Sequence, residues 1–190
     1  MLVAKAKAAE SVGASVDKTA GLESRAGLGG VFHIKCHDKD GNLKWEESNH
    51  NLVVNEGLKD LNDKYFSGSS YTATWYLGLV NASPAPSYAA GDTLASHSGW
   101  VETTDYSGDR KAVTFGAATL ADPSIIDNDA APSQFSMTGT VTVGGAFLAS
   151  VATGTSGILF SVSNFQAPGN RDVVNGDTLS VTYEFRADAA

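Results

Sequence analysis

The feature that most limits what this chain can become is a side-chain alternation of period two that follows a glycine-rich stretch and returns near the other end of the sequence. Phe32, Ile34 and Cys36 fall on one side, His33, Lys35 and His37 on the other. Leu179, Val181, Tyr183 and Phe185 alternate in the same way with Thr178, Ser180, Thr182, Glu184 and Arg186. Successive side chains of a strand point to opposite faces, so each run predicts a strand with one apolar face. Asp40-Gly41 then marks a tight turn and a hairpin. If the loop has two residues, Cys36 stands opposite Trp45 as an apolar pair inside, and Lys35 opposite Glu46 as an ion pair outside.

The rest of the chain carries the same signature between turn-rich loops. Over Thr74 to Val80, Trp75, Leu77 and Leu79 alternate with Tyr76, Gly78 and Val80, an apolarity on both faces that predicts a central strand. Trp100 to Tyr106 and Arg110 to Phe115 predict a second hairpin around Ser107-Gly108-Asp109. Phe135, Met137, Val141 and Val143 face one way and Ser136, Thr138, Thr140 and Thr142 the other, a half-buried strand. Ala146 to Ser150 and Ile158 to Asn164 predict two more. One helix is expected, capped by Asn55, with Leu58, Leu61 and Tyr65 at helical spacing and Ser67-Gly68 at its end, covering an edge or end of the sheets. Eight or nine strands with one helix predict a mostly β chain, an antiparallel β-sandwich or jelly roll.

The expected organisation is an extended N-terminal arm over 1–30 and a sandwich domain over 31–190. The first 30 residues lack any aromatic and end in Gly27, Gly29 and Gly30. The chain has 21 acidic and 13 basic residues, a formal charge of -8, which disfavours nucleic acid and anionic lipid as partners. Cys36 is the single cysteine, so no internal disulfide forms. Lys5 and Lys7 are followed by Ala-Ala-Glu rather than an apolar run, so a secretory signal is not expected. No stretch approaches the roughly 18 apolar residues of a membrane helix.

Residues able to carry chemistry are few. His33, Cys36, His37 and His50 are zinc-ligand types, but position 36 of a strand points away from 33 and 37, and no second ligand pair follows at zinc spacing. Asp38-Lys39-Asp40-Gly41-Asn42 looks like the start of a calcium loop without its closing glutamate or flanking helices, and a hairpin turn uses the same letters. Asp122, Asp127 and Asp129 form an acidic loop that is ordinarily just solvated. No G-x-S-x-G elbow, P-loop or H-E-x-x-H occurs, and His97 in Ala-Ser-His-Ser-Gly reads as part of a turn. Trp45, Trp75, Trp100, Tyr71, Tyr76 and Tyr88 are read as core and strand-pair aromatics rather than as a platform for sugar rings. Asn81-Ala82-Ser83 is a formal glycosylation sequon. Catalytic, cofactor-binding and metal-ligating residues are therefore expected to be none, and no enzyme activity is expected.

One ordered series goes further. Asn51-Leu-Val-Val-Asn-Glu-Gly-Leu58, Trp75-Tyr76-Leu77-Gly78-Leu79, Gly91-Asp92-Thr93-Leu94-Ala95-Ser96-His97-Ser98-Gly99-Trp100, then Glu102, Tyr106 and Arg110, and later Gly144-Gly145-Ala146-Phe147-Leu148 resemble a family of tailed-bacteriophage virion structural proteins of the capsid decoration, or cement, type. The resemblance spans about residues 43 to 165 and leaves the arm uncovered. It implies a structural protein that binds the major capsid protein, forms a dimer or trimer, and resides on the capsid surface after synthesis in the bacterial host cytoplasm. Tail tube or connector components, and a glycan-binding module on the virion, are the alternative roles. No catalytic residues come with the resemblance. Trp100, Glu102 and Tyr106 are expected to share a face of their hairpin and, with Arg110, to organise its packing.

Overall fold

The alternating segments fold as strands. The computed structural model describes residues 26–71, 74–165 and 169–189. In chain order its elements are β1 (Ala26–His37), β2 (Leu43–His50), β3 (Leu52–Val53), α1 (Asn55–Tyr65), β4 (Trp75–Asn81), β5 (Val101–Thr103) and β6 (Lys111–Val113), followed by β7 (Ser124–Asp127), β8 (Ser133–Ser136), β9 (Val141–Ala149), β10 (Leu159–Asn164), β11 (Arg171–Val173) and β12 (Thr178–Ala189). They form two antiparallel sheets. One follows the order β2-β1-β12-β7, with β8 also on β12; the other follows β3-β10-β9-β4-β5, with β11 on β9 and β6 on β4. Among the described residues the chain is thus the mostly β, antiparallel sandwich with one short helix that its alternation predicts.

The two strands with the clearest alternation are neighbours. β1 and β12 pair from Ala26↔Ala189 to His37↔Thr178, so Phe32, Ile34 and Cys36 lie beside Tyr183, Val181 and Leu179. All six are buried in the core between the sheets, where Leu77 and Leu79 of β4 and Leu148 of β9 meet them from the other side. Burying a side chain of this size contributes about 1.5–3 kcal/mol. β4 is apolar on both faces because its outer face is covered too. Val80, Phe147, Val162 and Leu159 pack there against Leu94 and Trp100 from the irregular 82–100 segment. Gly78 is required at that crossing: a Cβ would sit 2.2 Å from Cζ of Phe147.

The helix lies against β10. Gly57 permits the approach, since a Cβ there would sit 2.4 Å from the Phe160 carbonyl oxygen. The N-cap is Val54, without a side-chain cap bond, and Asn55 is already helical, so the expected capping role of Asn55 is corrected. Two contacts do the anchoring instead. The Asn55 backbone N–H donates to the Ala90 carbonyl (2.8 Å), and the Glu56 carboxylate accepts the N–H groups of Leu94 (3.2 Å) and Leu159 (2.7 Å).

Other expectations change in informative ways. Cys36 does face Trp45 and Lys35 does face Glu46, yet the turn is not a two-residue loop. Asp38 N–H donates to the Asn42 carbonyl and Gly41, at φ 85°, donates to Asp38, which shifts the register by one. A bulge between Cys36 and His37 shifts it back. The predicted hairpin of Trp100–Tyr106 with Arg110–Phe115 does not form: β5 and β6 both pair with β4, at Leu79↔Thr103 and Leu77↔Lys111, and follow one another along the same edge. The intervening residues cross to the other sheet, where Tyr106 bridges to Met137. The predicted strand through Phe135 and Val143 is two strands in different sheets, β8 and β9. Its alternation is unbroken because Phe135, Met137 and Val143 enter one core from opposite walls. Twelve strand segments occur among the described residues rather than eight or nine.

Residues 26–30, whose glycines suggested the arm, are paired strand; residues 1–25, which make up the rest of the expected arm, lie outside the described residues.

Candidate functional site

Of the residues singled out for chemistry, His33, Asp127 and Asp129 border one hollow on the outer face of the first sheet, and the others lie at separate places. His33 lies on the outer face of the first sheet, with Nδ1 2.8 Å from Ser48 Oγ. Cys36 is buried in the core. Its Sγ lies 3.8 Å from an Asp177 carboxylate oxygen, and burial first, then the Asp177 charge, pushes the thiol up to about 12. Such a thiol stays protonated and is a poor nucleophile. Asp177, itself buried, also accepts the Lys44 ammonium (2.5 Å) and the Val174 N–H (3.0 Å); the bond to Asp177 raises the Lys44 pKa. In the calcium-like string, Asp38 accepts the N–H groups of Asp40 and Asn42, both at 2.9 Å. Bonds from the Asn42 side chain and backbone hold the Asp38 carboxyl below its usual range. Those letters therefore build a turn. Asp127 accepts the Asp129 N–H (2.9 Å) at the end of β7. Among the described residues no three His, Cys, Asp or Glu side chains converge as a metal site.

Within the resembling series, residues 91–100 build the cover on the second sheet, whose strands β4 and β9 contain residues 75–79 and 144–148. Asp92 accepts Trp100 Nε1–H (3.2 Å) and the Ala89 N–H (3.1 Å). The His97 ring stacks on Trp100 with centroids 3.7 Å apart. Glu102 and Arg110 form a two-pronged pair at 2.7 and 2.9 Å, with the guanidinium over the Phe147 ring. The packing role expected of these residues is evident, but their common face is not. Trp100 lies in the outer cluster and Tyr106 in the core between the sheets, edge-on to Phe135. Asn81 of the sequon accepts the Ser83 N–H and closes a turn.

Asn128 performs a task no local sequence signal announces. β7 ends opposite Glu184 and β8 begins opposite Val181, leaving a gap in the partner of β12. The buried Asn128 carboxamide fills it, accepting the Tyr183 N–H (2.7 Å) and donating to the Val181 carbonyl (3.3 Å).

The feature with the character of a binding surface is an apolar groove of about 310 Å³ at one end of the sandwich. Its floor is Leu148, Phe160 and Tyr183, and its walls include Trp75, Phe115, Ile126 and Phe185. The rings are arranged edge to face: Trp75 and Phe160 at 5.3 Å, Phe160 and Phe185 at 5.6 Å. Leu61 and Tyr65 of α1 and Tyr71 form the rim. Tyr65 is 81 %, Phe66 76 % and Tyr71 82 % exposed. Polar chemistry at the groove comes chiefly from Asp60 and Lys64, which pair with each other at 3.6 Å. Of the aromatics considered as a sugar platform, Trp75 and Tyr71 meet here while Trp45, Tyr76, Tyr88 and Trp100 do not line it. A sugar site needs hydrogen-bonding groups around its stacking ring, and this groove is dominated by carbon. No element contributes more than a few residues, so no local motif marked it. The one available signal was the set Tyr65, Phe66 and Tyr71, large apolar rings that continue no alternating strand.

Compared with known proteins, the chain matches no family model, no curated protein and no solved structure.

Proposed function

We propose that this chain is a structural protein of a tailed-phage virion that decorates and stabilises the capsid by binding the major capsid protein lattice. The observation that carries the reading is the use to which the resembling residues are put. The series from Trp75 to Arg110 forms interlocked packing: Gly78 under Phe147, Asp92 on Trp100, Glu102 on Arg110. A signature of packing residues suits a protein whose work is to present a rigid surface. Decoration adds many weak, repeated contacts across capsomer boundaries, which stabilise a shell by mass action without any single strong site. In this reading the domain acts as a dimer or trimer on the capsid surface, and the segment before β1 supplies further contact area.

The test is rebinding. Purified full-length chain is mixed with heads that lack it and imaged by electron cryomicroscopy. Ordered density at hundreds of positions on the head is expected. Heads that stay bare, or density restricted to about a dozen copies at a portal or to the tail, would overturn the decoration role.

A further inference from the structure

The groove at the open end of the sandwich leaves a large apolar surface facing water, and the chain that precedes the described body enters at that same end. Phe185, a wall of the groove, is paired with Gly30 of β1. From Gly30 the strand runs four residues outward to Ala26, about 13 Å at the rise of an extended chain, and 25 residues precede that point. Leu28, on the core-facing parity of β1, is 37 % exposed and continues the apolar surface toward Ala26. We propose that the groove is the docking site of this chain's own N-terminal segment, residues 1–25, in the free protein.

Three observations favour that occupant. The first is reach. The segment holds Val12, Val16 and Leu22, and the ten residues from Val16 to Ala26 span about 33 Å when extended. A single reversal of direction therefore brings Val16 to the groove with length to spare. The second is size and chemistry. A groove of about 310 Å³ walled by rings suits a few aliphatic side chains, and the segment is aliphatic with no aromatic residue. The third is charge. Residues 1–25 carry four basic and three acidic residues, net +1, whereas the remaining chain carries nine basic and eighteen acidic, net -9. Tethering adds to this, since a linked segment meets its groove at an effective concentration in the millimolar range for a short flexible link. The inference does not depend on the virion role.

The experiment is limited trypsin digestion of the full-length protein, following cleavage after Lys18 by mass spectrometry. Three chains are compared: the natural sequence, Tyr71→Glu, which puts a charge on the groove rim at a largely exposed position, and Val16→Asn, which alters the segment alone without adding a carboxylate beside the Lys18 cleavage site. A free peptide of residues 1–30 sets the unprotected rate. Docking predicts that the natural chain is cut roughly tenfold or more slowly than the peptide, a tenfold ratio being an opening equilibrium of about 1.4 kcal/mol. Both variants should restore the peptide's rate, and protection should not change with protein concentration. Equal rates for chain and peptide would overturn the proposal. So would protection that survives both variants, or protection that grows with concentration, which would place a neighbouring copy in the groove. Far-ultraviolet circular dichroism of each variant confirms that the sandwich is intact.

Discussion

At the end of the sandwich that carries the β1–β2 turn, the space between the sheets is shut by side chains reaching across it. Arg171 of β11 pairs with Glu47 of β2 at 2.5 Å and lies over the Trp45 ring. Trp45 meets Phe165 edge-on at 5.9 Å, and within the first sheet Lys44 of β2 reaches the buried Asp177 just before β12, beside Cys36. At the opposite end, among the described residues, the ion pair on the groove is Asp60 with Lys64, which joins two residues of one helix and spans nothing. The apolar interior there continues outward through Trp75, Phe160 and Phe185 to exposed Tyr65 and Tyr71. The difference teaches that a sandwich is finished by its ends. Where both sheets offer a charged partner, the core is capped; where one does not, apolar surface remains for something else to cover.

The comparison can be broken by mutation. The largest effect is expected for Arg171→Ala, which leaves Glu47 buried and unpaired and should lower unfolding free energy by about 3 kcal/mol, read by urea denaturation. A loss below a few tenths would show that the sealed end is not held by this pair. Alkaline pH tests the same end more gently. The Cys36 thiol is raised from 9.0 to about 12, so the folded chain holds its proton where the unfolded chain releases it. That stability is complete below pH 9 and is lost as pH rises toward 12, by at most about 1.4 kcal/mol per pH unit for one group. Raised pKa values at Lys44, Tyr106 and Tyr183 act in the same direction at higher pH. The urea midpoint should therefore fall between pH 8 and pH 11, and Cys36→Ala should flatten the first part of that slope. An unchanged slope in the variant would remove Cys36 from the account. The smallest effect belongs to the open end: in a chain already carrying Val16→Asn, in which the segment is released, Tyr71→Ala should alter stability by no more than about 0.5 kcal/mol, and a larger loss would mean that the rim is structural.

Much of the sheet architecture was legible in the residues. β1, β4 and β12 could be located because their side chains alternate, and the Cys36–Trp45 register followed from a two-residue loop at Asp40-Gly41, with both faces agreeing. That register came out correct through two opposing irregularities, a longer turn and a bulge, that no local pattern distinguishes from none. The segment from Trp100 to Phe115 misled because Ser107-Gly108-Asp109 has good turn chemistry, and whether a turn joins partners or leads the chain across to another sheet depends on what is already paired at the edge of β4. Val54 displaced Asn55 as the helix cap for a similar reason, since the carbonyl of Ala90 and the backbone of Phe160, both distant in sequence, set where the helix begins.

What the amino-acid order settled by itself was local and repetitive: strand alternation, an N-terminal stretch of different composition, a β-rich class and a packing role for the Trp100–Arg110 residues. The tertiary structure alone decided which strands became neighbours, that Asn128 would complete a sheet, and that one end would close while the other stayed apolar and open. Alternation constrains each strand through its immediate neighbours, whereas the groove is assembled from side chains on α1, β4, β7, β9, β10 and β12 and from Tyr71 and Phe115, which approach one another only after the two sheets have packed.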